Sequence, residues 1–172
     1  MSPVSVGAEP LWALAMAIDL REVSLACYMA FMAREASCHC GLFVVRCEGE
    51  PAKVSLCHCF DCQRRTGTLF SVAAFFPKSQ FTVIQGQSQT YRRPSASGFD
   101  VAFNFCIECG SNLWWEAARL PSLIGVAAGA FADPTFPAPE QAVWSEHQHA
   151  WLSLPKEIVS HARNPEPRKA SE

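Results

Sequence analysis

Seven cysteines in three short groups constrain this chain more than any other feature. They are Cys38-His39-Cys40-Gly41, Cys57-His58-Cys59-Phe60-Asp61-Cys62 and Cys106-Ile107-Glu108-Cys109-Gly110. Alternate residues of an extended segment point to one side, so each C-x-C presents two thiols together and turns the intervening histidine away. A C-x-x-C pair on a tight turn can wrap one ion, and a following glycine accepts the positive φ that such turns often require. Cys38, Cys40, Cys106 and Cys109 make a complete four-thiolate set for a structural Zn2+ joining the two ends of the region they bracket. Cys57, Cys59 and Cys62 make a compact set of three for a second Zn2+, with one coordination position left for water or substrate. Two other readings stay open at this level: a redox dithiol in a C-x-x-C pair, or one structural zinc with the middle cysteines merely packed.

The remaining composition narrows the class. Nine cysteines is an odd count for a disulfide scaffold. The apolar run Leu11–Ile18 has no Lys or Arg before it and is broken by Asp19, Arg21 and Glu22. It fits neither a secretion signal nor a membrane span, so a reducing, cytoplasmic setting is expected. With 14 Lys+Arg against 16 Asp+Glu, a net charge of -2 supplies no general field for nucleic acid or an anionic membrane. At 17% charged residues and five Trp, the chain is too apolar to be a disordered tail.

Three segments differ in character. Residues 1–35 are Ala- and Met-rich and turn-poor, which predicts a helical N-terminal extension; translation starting at Met29 or Met32 is the competing reading. Residues 36–154 run as short β-like stretches between turns, and none sustains helical apolar spacing for three turns. An all-β core is expected there. Residues 155–172 are polar and proline-punctuated, which predicts a mobile tail. Cys47 shares a strand face with Phe43 and Val45 and reads as a buried core thiol, while Cys27 lies in the extension. His39 and His58 read as packing or supporting residues, and His147 and His149 as surface or capping residues of a late loop that can fold over the three-thiol site.

The run Cys57-His58-Cys59-Phe60-Asp61-Cys62-Gln63-Arg64-Arg65-Thr66-Gly67, with the flanking Cys38 and Phe105–Gly110 motifs, resembles the glutathione-dependent formaldehyde-activating enzyme family, which includes centromere protein V. The resemblance covers residues 36–154. It implies a β-tent fold, Mss4-like, of packed antiparallel sheets. It also implies two zincs, one structural at Cys38, Cys40, Cys106 and Cys109 and one catalytic at Cys57, Cys59 and Cys62. The implied activity is a carbon–sulfur lyase reaction on a small thiol–aldehyde adduct such as S-(hydroxymethyl)glutathione, with glutathione as co-substrate. Ala36 stands where family members commonly have Gly, and Gln63 where they often have a basic residue.

Arg64 and Arg65 follow Cys62 directly and are expected to screen thiolates or clamp a carboxylate of the thiol cofactor. Asp61 reads as a turn residue with proton transfer as the alternative. The competing function is a zinc-stabilised interaction module without catalysis. A protein side chain sealing the fourth position of the three-thiol site would favour it.

Overall fold

The computed structural model describes residues 33–165, and strands make up most of its regular structure. β1 (Arg34–Ser37), β2 (Val44–Cys47) and a later strand β5 (Phe81–Gln85) form a three-stranded sheet in the order β1-β2-β5. The second sheet comprises β3 (Lys53–Cys57), β4 (Ser71–Pro77), β6 (Ser88–Pro94), β7 (Asp100–Cys106), β8 (Asn112–Ala117), β9 (Leu123–Ala127), β10 (Gln141–Val143) and β11 (Val159–Ser160). Its order is β11-β10-β3-β4-β9-β8-β7-β6. All its neighbours are antiparallel except β10, which runs parallel to both β3 and β11. Packed antiparallel sheets give the all-β, Mss4-like architecture expected.

The two sheets bury a common core because their strands alternate. Ala36, Phe43, Val45 and Cys47 from the small sheet and its hairpin meet Ala74 and Phe76 of β4 and Ile124 and Val126 of β9. Phe43 and Phe76 are essentially inaccessible, and each such side chain contributes about 1.5–3 kcal/mol of transfer free energy. The opposite face of the large sheet is built from the intervening residues. Lys53, Ser55 and Cys57 of β3 lie opposite Phe75, Ala73 and Ser71 of β4, and all six line one cavity of about 1180 Å³. Gly125 leaves room for an indole on this face: a Cβ there would lie 2.5 Å from Cε2 of Trp115, its cross-strand partner.

Three local features depart from the sequence reading. A helix, α1 (Phe60–Thr66), occupies the middle cysteine motif that reads as a turn. Cys59 caps its start, accepting the Cys62 N–H, and Gly67 ends it at φ 67. Paired structure also begins at Arg34, inside the expected extension, through the Arg34–Cys47 register of β1 and β2. At the other end, Val159–Ser160 joins β10 and the His161 N–H donates to the Ala142 carbonyl, so this part of the expected mobile tail is docked. The helix expected over residues 1–35 falls almost wholly outside the described residues.

Candidate functional site

Cys38, Cys40, Cys106 and Cys109 converge where the β1–β2 hairpin meets the β7–β8 turn, with their sulfurs all within 4.8 Å of one another. The Cys38–Cys40 separation is 3.4 Å and Cys40–Cys106 is 3.8 Å, close to the roughly 3.8 Å expected between thiolates on one tetrahedral Zn2+ at about 2.3 Å. The chain also supplies donors to these sulfurs. The Phe43 N–H donates to Cys38 Sγ at 3.2 Å, and Ser111 Oγ lies 3.3 Å from Cys109 Sγ. That Ser111 contact pulls the Cys109 pKa down to about 5. His39 is exposed, but the segment is a turn and not the extended stretch expected: the Gly41 N–H donates to the Cys38 carbonyl, and His39 and Cys40 are both exposed while Cys38 is buried.

Cys57, Cys59 and Cys62 form the second group, again with all sulfurs within 4.8 Å. β3 delivers Cys57 at its C-terminal end, and the cap and first turn of α1 deliver the other two. Hydrogen bonds from Cys57 and then Cys59 pull the Cys62 pKa down to about 2, with help from the Arg65 charge. The same crowding pushes Cys57 far above the ordinary thiol range, chiefly through Cys59. Three soft thiols, one favoured as thiolate, are a donor set suited to Zn2+. Among the described residues no His, Asp or Glu completes this group. All three cysteines line the 1180 Å³ cavity.

Arg65 is fixed beside the trio. Its guanidinium lies 4.6 Å from the Trp115 ring centroid and 5.0 Å from that of Phe103, and it donates to the Asn112 side-chain carbonyl. A β-bulge makes this cradle possible: Asn104 pairs with Trp114 but Phe105 pairs with Asn112, so Leu113 is the extra residue. Asn112 and Trp115 thereby face the cavity together. Arg64 lies at the rim, exposed, 6.0 Å from the Phe60 ring. Asp61 is held by Arg93 at 2.9 Å and sits in the first helical turn rather than in a loop.

The late loop folds against α1. His147 stacks on Phe60 at 4.1 Å, while the Gln63 amide donates to the carbonyls of His58 at 2.7 Å and His147 at 3.4 Å. Gln63 Oε1 lies 3.3 Å from His149 Nε2. Gln63 thus serves as a bridge where a basic residue would have been a cation. His58 is fully buried with its ring edge toward Phe70, and burial lowers its pKa.

The sequence profile described as glutathione-dependent formaldehyde-activating enzyme (GFA) matches residues 33–147, about two thirds of the chain. The chain belongs to the GFA family. No curated protein matches it significantly. Among solved structures, a Rhodobacter sphaeroides protein is similar at 24% identity and a TM-score of 0.45, over 56% of this chain and 85% of that one. Sequence reasoning about this GFA domain missed Lys53, Arg119, Glu140 and Arg93, which also line the cavity. Their only sequence signal was the alternation of Lys53 with Ser55 and Cys57; the others lie on distant segments.

Proposed function

We propose that this GFA-family protein is a zinc-dependent carbon–sulfur lyase acting on a small thiol–aldehyde adduct such as S-(hydroxymethyl)glutathione. The observation that carries the reading is that the three-thiol group opens onto a large cavity and recruits no fourth His, Cys, Asp or Glu among the described residues. An interaction module would have no need of that opening.

Zinc at Cys57, Cys59 and Cys62 would offer an acceptor position for the substrate's sulfur or its carbonyl oxygen. The chain's own residues supply the rest. Arg65 presents a cation to charge developing near Cys62 from a position that packing has already fixed, so little reorganisation is needed. Arg64 at the rim is free to meet a substrate carboxylate. Phe103, Phe105 and Trp115 line the same wall and limit water around the reacting carbon. Asp61, engaged by Arg93, is ill placed to shuttle a proton and supports the helix start instead.

The direct test follows S-(hydroxymethyl)glutathione formation from formaldehyde and glutathione above the spontaneous rate. Acceleration by the zinc-loaded protein, lost in Cys59→Ser and reduced about tenfold or more in Arg65→Met, is the expected result. No acceleration by protein of verified metal content would overturn the lyase reading.

A further inference from the structure

The large sheet carries a second apolar cluster, apart from the inter-sheet core. Ala73, Val101 and Trp115 are buried together, with Phe75, Phe103, Ala117 and Ala127 packed against them. The small sheet lies against the opposite face, so among the described residues no sheet covers this cluster. It meets the cavity instead, and all but Ala127 line it. Apolar and aromatic side chains around a concave site are what a small apolar ligand group covers.

Strand register sorts this face into rows. Lys53, Phe75, Gly125, Trp115 and Phe103 form one row across five strands. The next row toward the thiols is Ser55, Ala73 and Ala127, and beyond it Cys57 pairs with Ser71. Rows on one face are two residues apart, about 6.6 Å at about 3.3 Å per residue. Small side chains thus floor a trough that has aromatic rings on one side and a thiol on the other. The one hydroxyl in that row, Ser55 Oγ, accepts from the Gln141 amide at 3.1 Å and is already engaged.

Two features select what fits. The floor lies a single row from Cys57, so a group resting there must be bonded to the reacting centre itself or nearly so. The polar amides of a peptide thiol would lose their water over this floor without gaining partners, which leaves the substituent on the aldehyde carbon. The rim then favours a flat ring over an alkyl chain. Phe75 and Trp115 stand nearly perpendicular, 6.5 Å between centroids at 87°. The Lys53 ammonium lies 4.8 Å from the Phe75 centroid, and the Arg65 guanidinium 4.6 Å from that of Trp115. A ring between them gains edge-to-face and cation–π attraction that an alkyl group lacks.

We propose that the trough over Ser55 and Ala73 is a subsite for the aryl group of an aromatic aldehyde, so that the adduct carries a ring on the carbon bonded to sulfur. The proposal rests on the lyase reading for the bond made: the thiol sulfur joins the aldehyde carbon, the carbonyl π pair moves to oxygen, and the thiol proton ends there.

S-benzylglutathione and S-methylglutathione are inert thioethers that differ only by a phenyl group on the carbon bonded to sulfur. Calorimetric titration of the zinc-loaded protein should give a Kd about tenfold or more lower for the benzyl form. Ala73→Leu fills the trough and should bring the two values within about twofold, and Phe75→Leu, which removes a ring from the rim without filling the floor, should narrow the gap. Equal Kd values in the wild-type protein, no binding of either thioether, or a benzyl preference untouched in both variants would overturn the subsite. Acceleration of the formaldehyde reaction without a benzyl preference would remove the subsite and keep the lyase reading. A benzyl preference lost in Ala73→Leu, in a protein without acceleration, would support the subsite and remove the lyase reading alone.

Discussion

Cys47 shows how one residue's surroundings decide its chemistry. Seated in the inter-sheet core, it is fully buried, and burial pushes its pKa from the ordinary thiol value of 9.0 up to about 12. The native protein keeps this proton where the unfolded chain loses it, so its contribution to stability is full below about pH 9 and declines as pH rises toward about 12. Urea titrations between pH 8 and 10.5 should show an alkaline loss of stability that Cys47→Ala reduces, and equal slopes in the two proteins would contradict this. Gly125 offers a steric counterpart. Gly125→Ala would drive a methyl against the buried Trp115 indole, 2.5 Å from Cε2, and should cost about 1–3 kcal/mol with a shift in tryptophan fluorescence. At this scale the sequence was informative: Cys47 was readable as a core thiol from its alternation with Phe43 and Val45. The role of Gly125 was not, since it depends on a partner from another strand.

Among the elements, α1 matters most. Seven residues are too few for helical apolar periodicity to emerge, so the middle motif reads as a turn. The usable signals were polar: Asp61 in the first turn, Arg64 and Arg65 in the last, and Gly67 after Thr66. α1 is also what the late loop rests on. Gln63→Ala removes its contacts with the His58 and His147 carbonyls and with His149, a loss of about 1 kcal/mol. Hydrogen exchange at the Gln148 and Leu152 amides, which close turns in this loop, should then quicken about fivefold while β3 amides hold. Unchanged exchange at both would show that the loop is anchored elsewhere. β11 escaped the sequence reading for a related reason, because two residues on a sheet edge are specified by their neighbour and carry almost no pattern of their own.

For the whole molecule, each cysteine motif was legible as a unit because its ligands are near neighbours in sequence, whereas the union of Cys38 and Cys40 with Cys106 and Cys109 joins distant segments; spacing offered that sorting among three readings, and the family resemblance implied it. The cavity onto which the trio opens and its charged far end were not readable, because Lys53, Arg119 and Glu140 meet only once the eight-stranded sheet has formed. The two thiol groups should also differ in what they contribute. The set at Cys38, Cys40, Cys106 and Cys109 joins the small sheet's hairpin to the β7–β8 turn, so Cys106→Ser should lower stability by several kcal/mol, since binding free energy at a structural zinc is folding free energy. The trio at the cavity ties only α1 to the end of β3. Metal analysis of the purified protein, alongside Cys59→Ser with its fold checked by circular dichroism, tests the central claim most directly: two zincs per chain falling to one with the fold retained is the expected result, and one zinc in the native protein, or no change in Cys59→Ser, would contradict it.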